Sequence, residues 1–151
     1  MTDPLSYQSD SARHNLPLLF AAQVQKEIVL NEALMRIDSL LHLSVEDRLA
    51  APPVAPEEGQ CWLVAAGAGG TWAGHEDQIA AFSGADWLFS APREGMRCWL
   101  QSTGQWLRFG AGWVAPEKPV LASGGATVDA ESRTAIEALI NALTEAGIFS
   151  T

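Results

Sequence analysis

The sequence predicts an α+β chain: a small antiparallel β meander or barrel, built from two copies of one sequence unit and flanked by an N-terminal and a C-terminal amphipathic helix. Three observations carry this. Every tryptophan lies between Ala55 and Pro116, together with both cysteines and ten of the thirteen glycines. That stretch repeats itself: Ala55-Pro56-Glu57-Glu58-Gly59-Gln60-Cys61-Trp62-Leu63 aligns with Ala91-Pro92-Arg93-Glu94-Gly95-Met96-Arg97-Cys98-Trp99-Leu100, with one residue inserted before the cysteine. On either side of it, apolar residues recur at helical spacing.

The copies also end alike. Phe82-Ser83-Gly84-Ala85-Asp86-Trp87 closes the first, Phe109-Gly110-Ala111-Gly112-Trp113 closes the second, and Ala115-Pro116-Glu117 opens the phrase a third time. The first copy is longer by an excursion around Gly74 to Gln78. An internal repeat weighs more in the choice of fold than any single motif.

Length and charge bound the rest. A chain of 151 residues is the size of one domain and can bury roughly 70% of its unfolded surface. The net charge of −9 is spread evenly over 1–54, 55–116 and 117–151, which argues against nucleic acid or an anionic membrane as partner, since phosphate binding needs clustered Lys and Arg. No apolar run approaches the roughly 20 residues that span a bilayer. Met1-Thr2-Asp3-Pro4-Leu5 has no basic region followed by an apolar run, so the expectation is a chain made in the cytoplasm without a signal peptide. Cys61 and Cys98 hold matching places beside a tryptophan and lack metal-ligand spacing. Two buried thiols acting as small apolar residues are expected.

In chain order, residues 1–15 are polar and read as an arm that orders on a partner. Residues 16–49 form the N-terminal helical segment, entered through Asn15 and Pro17. Leu30, Leu34, Ile37 and Leu41 follow a 4-3-4 spacing and lie on one stripe, with a bend at Asn31 as an option. Ala50 to Pro56 is too proline-rich for a helix and reads as an extended linker. The Trp-rich duplicated β domain spans 55–116, with strands expected at 60–66, 78–82, 87–90, 96–101, 106–109 and 113–115. The C-terminal helix lies within 126–148. Thr127 or Asp129 caps it, Ile136, Leu139, Ile140 and Leu143 form its stripe, and Gly147 stops it with Ile148 folding back toward Leu143.

Little in this pattern points to catalysis. His14, His42 and His75 are far apart, none has the i, i+4 spacing of a metal-binding helix, and His75-Glu76-Asp77 is not spaced as a triad. Gly67-Ala68-Gly69-Gly70 is followed by no Lys-Ser or Lys-Thr, so it reads as a β-turn rather than a phosphate loop. No catalytic residue, metal site or cofactor is assigned.

Two surfaces stand out instead. With a loop at 102–105, Leu100 would pair with Leu107 and Cys98 with Phe109 facing inward. Trp99, Gln101, Trp106 and Arg108 would then share an outward aromatic and polar face. Such a face packs under the chain's own helices, meets another subunit, or stacks on cell-surface polysaccharide. Val64 stands in the first copy where Gln101 stands in the second, which makes the first face the more buried. The helical stripes, Leu34, Ile37 and Leu41 with Ile136, Leu139, Ile140 and Leu143, lack the ion pairs to hold isolated helices, so each must bury against something. A homo-oligomer bundle is one solution.

Leu16-Pro17-Leu18-Leu19, Ala21-Ala22-Gln23-Val24-Gln25-Lys26-Glu27 and Asn31-Glu32-Ala33-Leu34 resemble the opening of an uncharacterised family from tailed phages, prophages and the gene transfer agents of alphaproteobacteria. Pro56 to Trp62, Trp72-Ala73-Gly74-His75, Ala91 to Gly95 and Val128-Asp129-Ala130-Glu131 extend the resemblance over nearly the whole chain. It implies a non-enzymatic structural protein of a virion or phage-like particle, a component of a head spike or fibre. Such a component joins a capsid protein to a spike or fibre protein that meets the recipient's polysaccharide. A glycan-binding module acting directly through Trp99 and Trp106 is the alternative.

Overall fold

A computed structural model describes residues 13, 18, 26–125 and 127–150. Two helices flank eight short strands in two four-stranded sheets, an α+β fold in which neither sheet closes into a barrel. In order these are α1 (Lys26–Leu41), β1 (Ser44–Val45), β2 (Arg48–Leu49), β3 (Cys61–Val64), a 3₁₀ turn at Gly70–Trp72, β4 (Ile79–Ser83), β5 (Asp86–Ser90), β6 (Arg97–Leu100), β7 (Gln105–Phe109), β8 (Trp113–Val114) and α2 (Ala130–Glu145).

Each sequence copy folds as a three-stranded antiparallel meander, β3-β4-β5 in the first leaf and β6-β7-β8 in the second. The repeated phrase is a repeated turn. Gln60 N donates to Glu57 O at 3.1 Å and Met96 N to Arg93 O at 2.9 Å, while Gly59 N and Gly95 N donate to Phe82 O and Phe109 O, each at 2.9 Å. Gly59 and Gly95 both sit at φ 83°. A positive φ at the third residue makes this a type II turn, which selects glycine. Met96 therefore takes the place of Gln60, and Arg97 is the inserted residue of the second copy.

The fourth strand of each sheet comes from outside the repeats. The N-terminal helix, expected to reach residue 49, stops at Leu41, and the chain continues as an extended strap. Its first half, β1, pairs parallel with β6, and its second half, β2, pairs parallel with β3. Leu43 O and Val45 O accept from Trp99 N and Gln101 N, each at 2.9 Å; Asp47 O and Leu49 O accept from Leu63 N at 3.0 Å and Ala65 N at 2.7 Å. The period-two pair Leu43 and Val45 hints at this in sequence, but the run is shorter than a strand signal needs, and pairing with distant strands decides its conformation. α1 runs unbroken through Asn31, which is buried rather than exposed at a bend. The helix entry at Asn15 and Pro17 lies outside the described residues, as does the arm apart from Arg13.

The main core lies between the leaves. Cys61, Leu63, Ile79 and Ala81 of one sheet face Cys98, Leu100, Leu107 and Trp113 of the other, with Leu43 and Val45 of the strap completing the cluster. Burying aliphatic side chains of this size contributes about 1.5–3 kcal/mol each. Both cysteines are free and buried, as their matching places suggested. Burial pushes the Cys61 thiol up to about 11 against the opposing pull of Arg13, and pushes Cys98 up to about 12.

Polar contacts lock the layers. Trp113 Nε1 donates to Asp77 O at 2.8 Å, and Asp77 Oδ1 pairs with Arg48 Nη2 at 2.9 Å, tying the end of the second leaf to the first and to the strap. Arg13 closes the other side. Its backbone N donates to Asp38 Oδ2 at 3.0 Å, and its guanidinium reaches Ser39 O at 2.8 Å, His42 O at 3.1 Å and Ser44 O at 3.2 Å. It thereby satisfies carbonyls left unpaired where α1 ends.

α2 is bounded by the expected signals. Asp129 Oδ1 accepts from Ser132 N at 2.9 Å, and these bonds hold the Asp129 carboxyl below its ordinary range. At the other end Gly147, at φ 71°, donates to Thr144 O at 2.9 Å while Ile148 N donates to Leu143 O at 2.8 Å. That pair of bonds is the Schellman motif.

Two predictions concern this framework. Gly84 and Ala85 both have positive φ, 61° and 68°, in the β4–β5 hairpin. The left-handed strain on alanine exceeds the entropy cost of glycine, so Ala85→Gly should raise stability in urea by roughly 0.5–1 kcal/mol. The raised thiol pKa values make the neutral cysteines part of the native state. Their stabilising effect is complete below the unfolded value of 9.0 and is lost as pH rises toward about 11 and 12. The urea midpoint should hold up to that value and fall above it. In the double variant Cys61→Ala, Cys98→Ala the fall should be shallower.

Candidate functional site

The outer faces of the two leaves are finished differently. On the first leaf Trp62, Val64, Trp72 and Ala80 form a second buried cluster, with Leu49, Phe82, Trp87 and Phe89 packed against it. Trp87 makes edge contacts with Trp62, Trp72 and Phe82 at centroid separations of 5.6, 4.9 and 5.2 Å. Trp72 comes from the 3₁₀ turn, so the excursion of the first copy serves as a lid. His75, within it, stacks on Phe89 at 3.7 Å, and Asp77 is held by Arg48.

The second leaf has no such excursion. Its outer face carries Trp99 opposite Trp106 and Arg97 opposite Arg108, while Cys98 opposes Leu107 and Leu100 opposes Gln105 on the inner face. The faces are those expected, but the register differs by two residues from Leu100 against Leu107. The turn explains the shift. Gly104 at φ 62° lets its N–H bond to Gln101 O at 3.3 Å, so the chain re-enters a strand at Gln105 rather than Trp106. Gln101 consequently lies in the turn instead of beside Trp106. It is exposed, and its amide donates to Ser44 Oγ and Glu46 Oε1, each at 3.2 Å.

The tryptophan pair is half-covered by the chain's own C-terminal turn. Trp99 and Trp106 meet edge to face at 5.2 Å, and Trp106 N donates to Gly147 O at 2.7 Å. Gly147 is buried, and a Cβ on it would overlap the Trp99 ring. Beside this lid remains a groove of about 290 Å³, walled by Trp106, Leu107, Val114, Pro116 and Ile148 and rimmed by Arg97 and Arg108. Of these only Trp106 and Arg108 were among the residues expected on this face. The signal that could have found Arg97 is its status as the one inserted residue of the repeat.

The helical stripes are placed unevenly. α1 buries Asn31, Met35, Asp38 and Ser39, and leaves Ile37 50% and Leu41 64% exposed with Leu34 half-buried. On α2 Ile136 and Leu139 are 48% and 60% exposed, Leu143 is half-buried, and Ile140 is buried and so withdrawn from any outer seam. Among the described residues no group of three or more His, Cys, Asp or Glu is arranged to hold a metal ion. Nor is any described helix long and apolar enough to cross a membrane.

Residues 30–114 match the model of a protein family described as "Protein of unknown function (DUF2793)". The matched stretch begins within α1 and ends with β8, so it takes in the strap and both leaves but not α2. No curated protein matches the chain.

Replacing Gly147 tests the lid directly. Gly147→Ala should cost at least about 2 kcal/mol, from left-handed strain together with overlap on Trp99. It should also shift the tryptophan emission, as measured by fluorescence during urea unfolding.

Proposed function

We propose that this chain, which belongs to the DUF2793 family, is a structural component of a phage-like particle or gene transfer agent. In this reading it acts within a head spike or fibre as the piece that joins a capsid protein to the spike or fibre protein. The single observation that carries it is the outward apolar stripe of α1. A helix normally turns its apolar side to its own core; here Asn31, Asp38 and Ser39 are buried beside Met35 while Leu30, Ile37 and Leu41 are about half exposed or more. Together with the half-buried Leu34 they keep the 4-3-4 spacing of a helix–helix seam.

Three further features support an assembling part. Ile136 and Leu139 of α2 add a second exposed stripe on the far side of the sequence. The two leaves are rigidly cross-pinned through Asp77, Arg48 and Trp113, which suits a load-bearing adaptor. The resemblance of residues 16–34 and of the repeated phrases to proteins of tailed phages, prophages and gene transfer agents points the same way. Catalysis has no comparable support, because His75 is stacked on Phe89 and Asp77 is committed to Arg48.

The test is the mass of the full chain in solution by light scattering across a range of concentrations. A homo-oligomer is expected, and Ile37→Glu with Leu41→Glu should shift it to monomer without loss of helicity, because both residues are exposed in the single chain. A monomer at every concentration, in both forms, would overturn α1 as the assembly seam.

A further inference from the structure

We infer that the groove at the β8 edge of the second leaf is a docking site for an extended acidic peptide segment of a partner protein. The segment places an aliphatic side chain against Trp106, Val114 and Ile148 and a carboxylate on Arg97 and Arg108. The inference does not depend on the α1 seam, none of whose residues lines the groove.

Charge is the first observation. Arg97 and Arg108 are direct cross-strand neighbours on the outer face. Like charges placed opposite one another on a sheet repel, and among the described residues neither guanidinium has an ion-pair or hydrogen-bond partner. In a chain of net charge −9 with only 9 Lys and Arg, two adjacent arginines left without acids are a costly arrangement. A carboxylate bridging them relieves the repulsion and accepts charge-assisted, bidentate hydrogen bonds.

The chemistry of the walls selects the kind of anion. Sugar hydroxyls need acceptors as well as donors, and the side chains lining this groove offer donors only, from Arg97, Arg108 and the indole of Trp106. Val114, Pro116 and Ile148 supply an aliphatic floor, and the volume of about 290 Å³ suits one or two side chains. Val114 is 53% exposed, so an apolar group seated there would cover it.

The backbone favours a polypeptide over a small acid. β8 is the last strand of its sheet and only two residues long. Its outer edge carries backbone groups that a further strand can pair with, which is how sheets take up extended peptides. Inside the same sheet the chain already shows this use of an edge. Where β8 is too short to reach Trp106, Gly147 fills the place by accepting from Trp106 N.

The experiment titrates the full chain with an N-acetylated octapeptide of alternating leucine and glutamate, at low ionic strength, following tryptophan emission and heat. Saturable binding is expected, weakening as salt rises. The variant Arg97→Gln, Arg108→Gln, exposed at both positions, should lose about tenfold in affinity. Val114→Asp should do the same by placing a carboxylate in the groove, and circular dichroism should show both variants folded. Four results would each overturn the proposal: no binding at millimolar peptide, equal binding of a control octapeptide with glutamine in place of each glutamate, equal binding by both variants, or tighter binding of polygalacturonate than of the peptide.

Discussion

The strap from Leu43 to Ala50 is the constraint on which the rest of the structure depends. It belongs to neither repeat, yet it supplies the edge strand of both, pairing in parallel with β6 through its first half and with β3 through its second. A single extended segment cannot satisfy two sheets unless they meet along it at a fixed distance and angle. The position of the leaves, and hence the shape of the core between them, follows from that one run of backbone bonds. Arg13 then fixes where the strap begins, by holding the carbonyls of Ser39, His42 and Ser44.

A one-residue insertion separates the two leaves in character. The turns at Gly59 and Gly95 are alike in φ and in bonding, so the extra residue, Arg97, falls between the turn and Cys98. Residues on the turn side of the insertion therefore change face between the leaves, while the Cys-Trp-Leu run keeps its own. Phe82 accordingly packs in the outer cluster of the first leaf, while its counterpart Phe109 packs against the core between the leaves. Arg97 emerges on the outer face opposite Arg108. The same duplication thus yields one leaf sealed by its own excursion and one that keeps an open groove.

Much of this could be read in the sequence, and the failures have a common cause. The duplication, the buried cysteines, the outward placement of Trp99 and Trp106, and the cap and stop of α2 rest on signals a few residues long, such as a glycine at a required φ or a polar cap. The strap left only the short alternation of Leu43 and Val45, because Ser44–Val45 and Arg48–Leu49 become strands only by pairing with residues far along the chain. The β6–β7 register failed because the choice between a turn ending at Gly104 and one ending at Gln105 is settled by the conformation of one glycine. The exposure of the α1 stripe could not be read either, since a stripe shows that a helix must bury something but not whether its own sheet will receive it. Of the groove, Trp106 and Arg108 were legible and Ile148 was not, because its arrival depends on where α2 comes to rest.

The divided strap also sets an order of events. Arg48 waits only for Leu63 to pair, whereas Ser44 waits for Trp99. During synthesis the first leaf can close as soon as Ser90 has emerged, while the front half of the strap remains an unpaired edge until the second copy follows. Closing the longer loop costs little more in entropy, so the delay is one of sequence rather than of energy. In that interval the half-made molecule shows an open strand edge and the unmatched inner face of one leaf, which are the features that draw nascent chains into wrong partners.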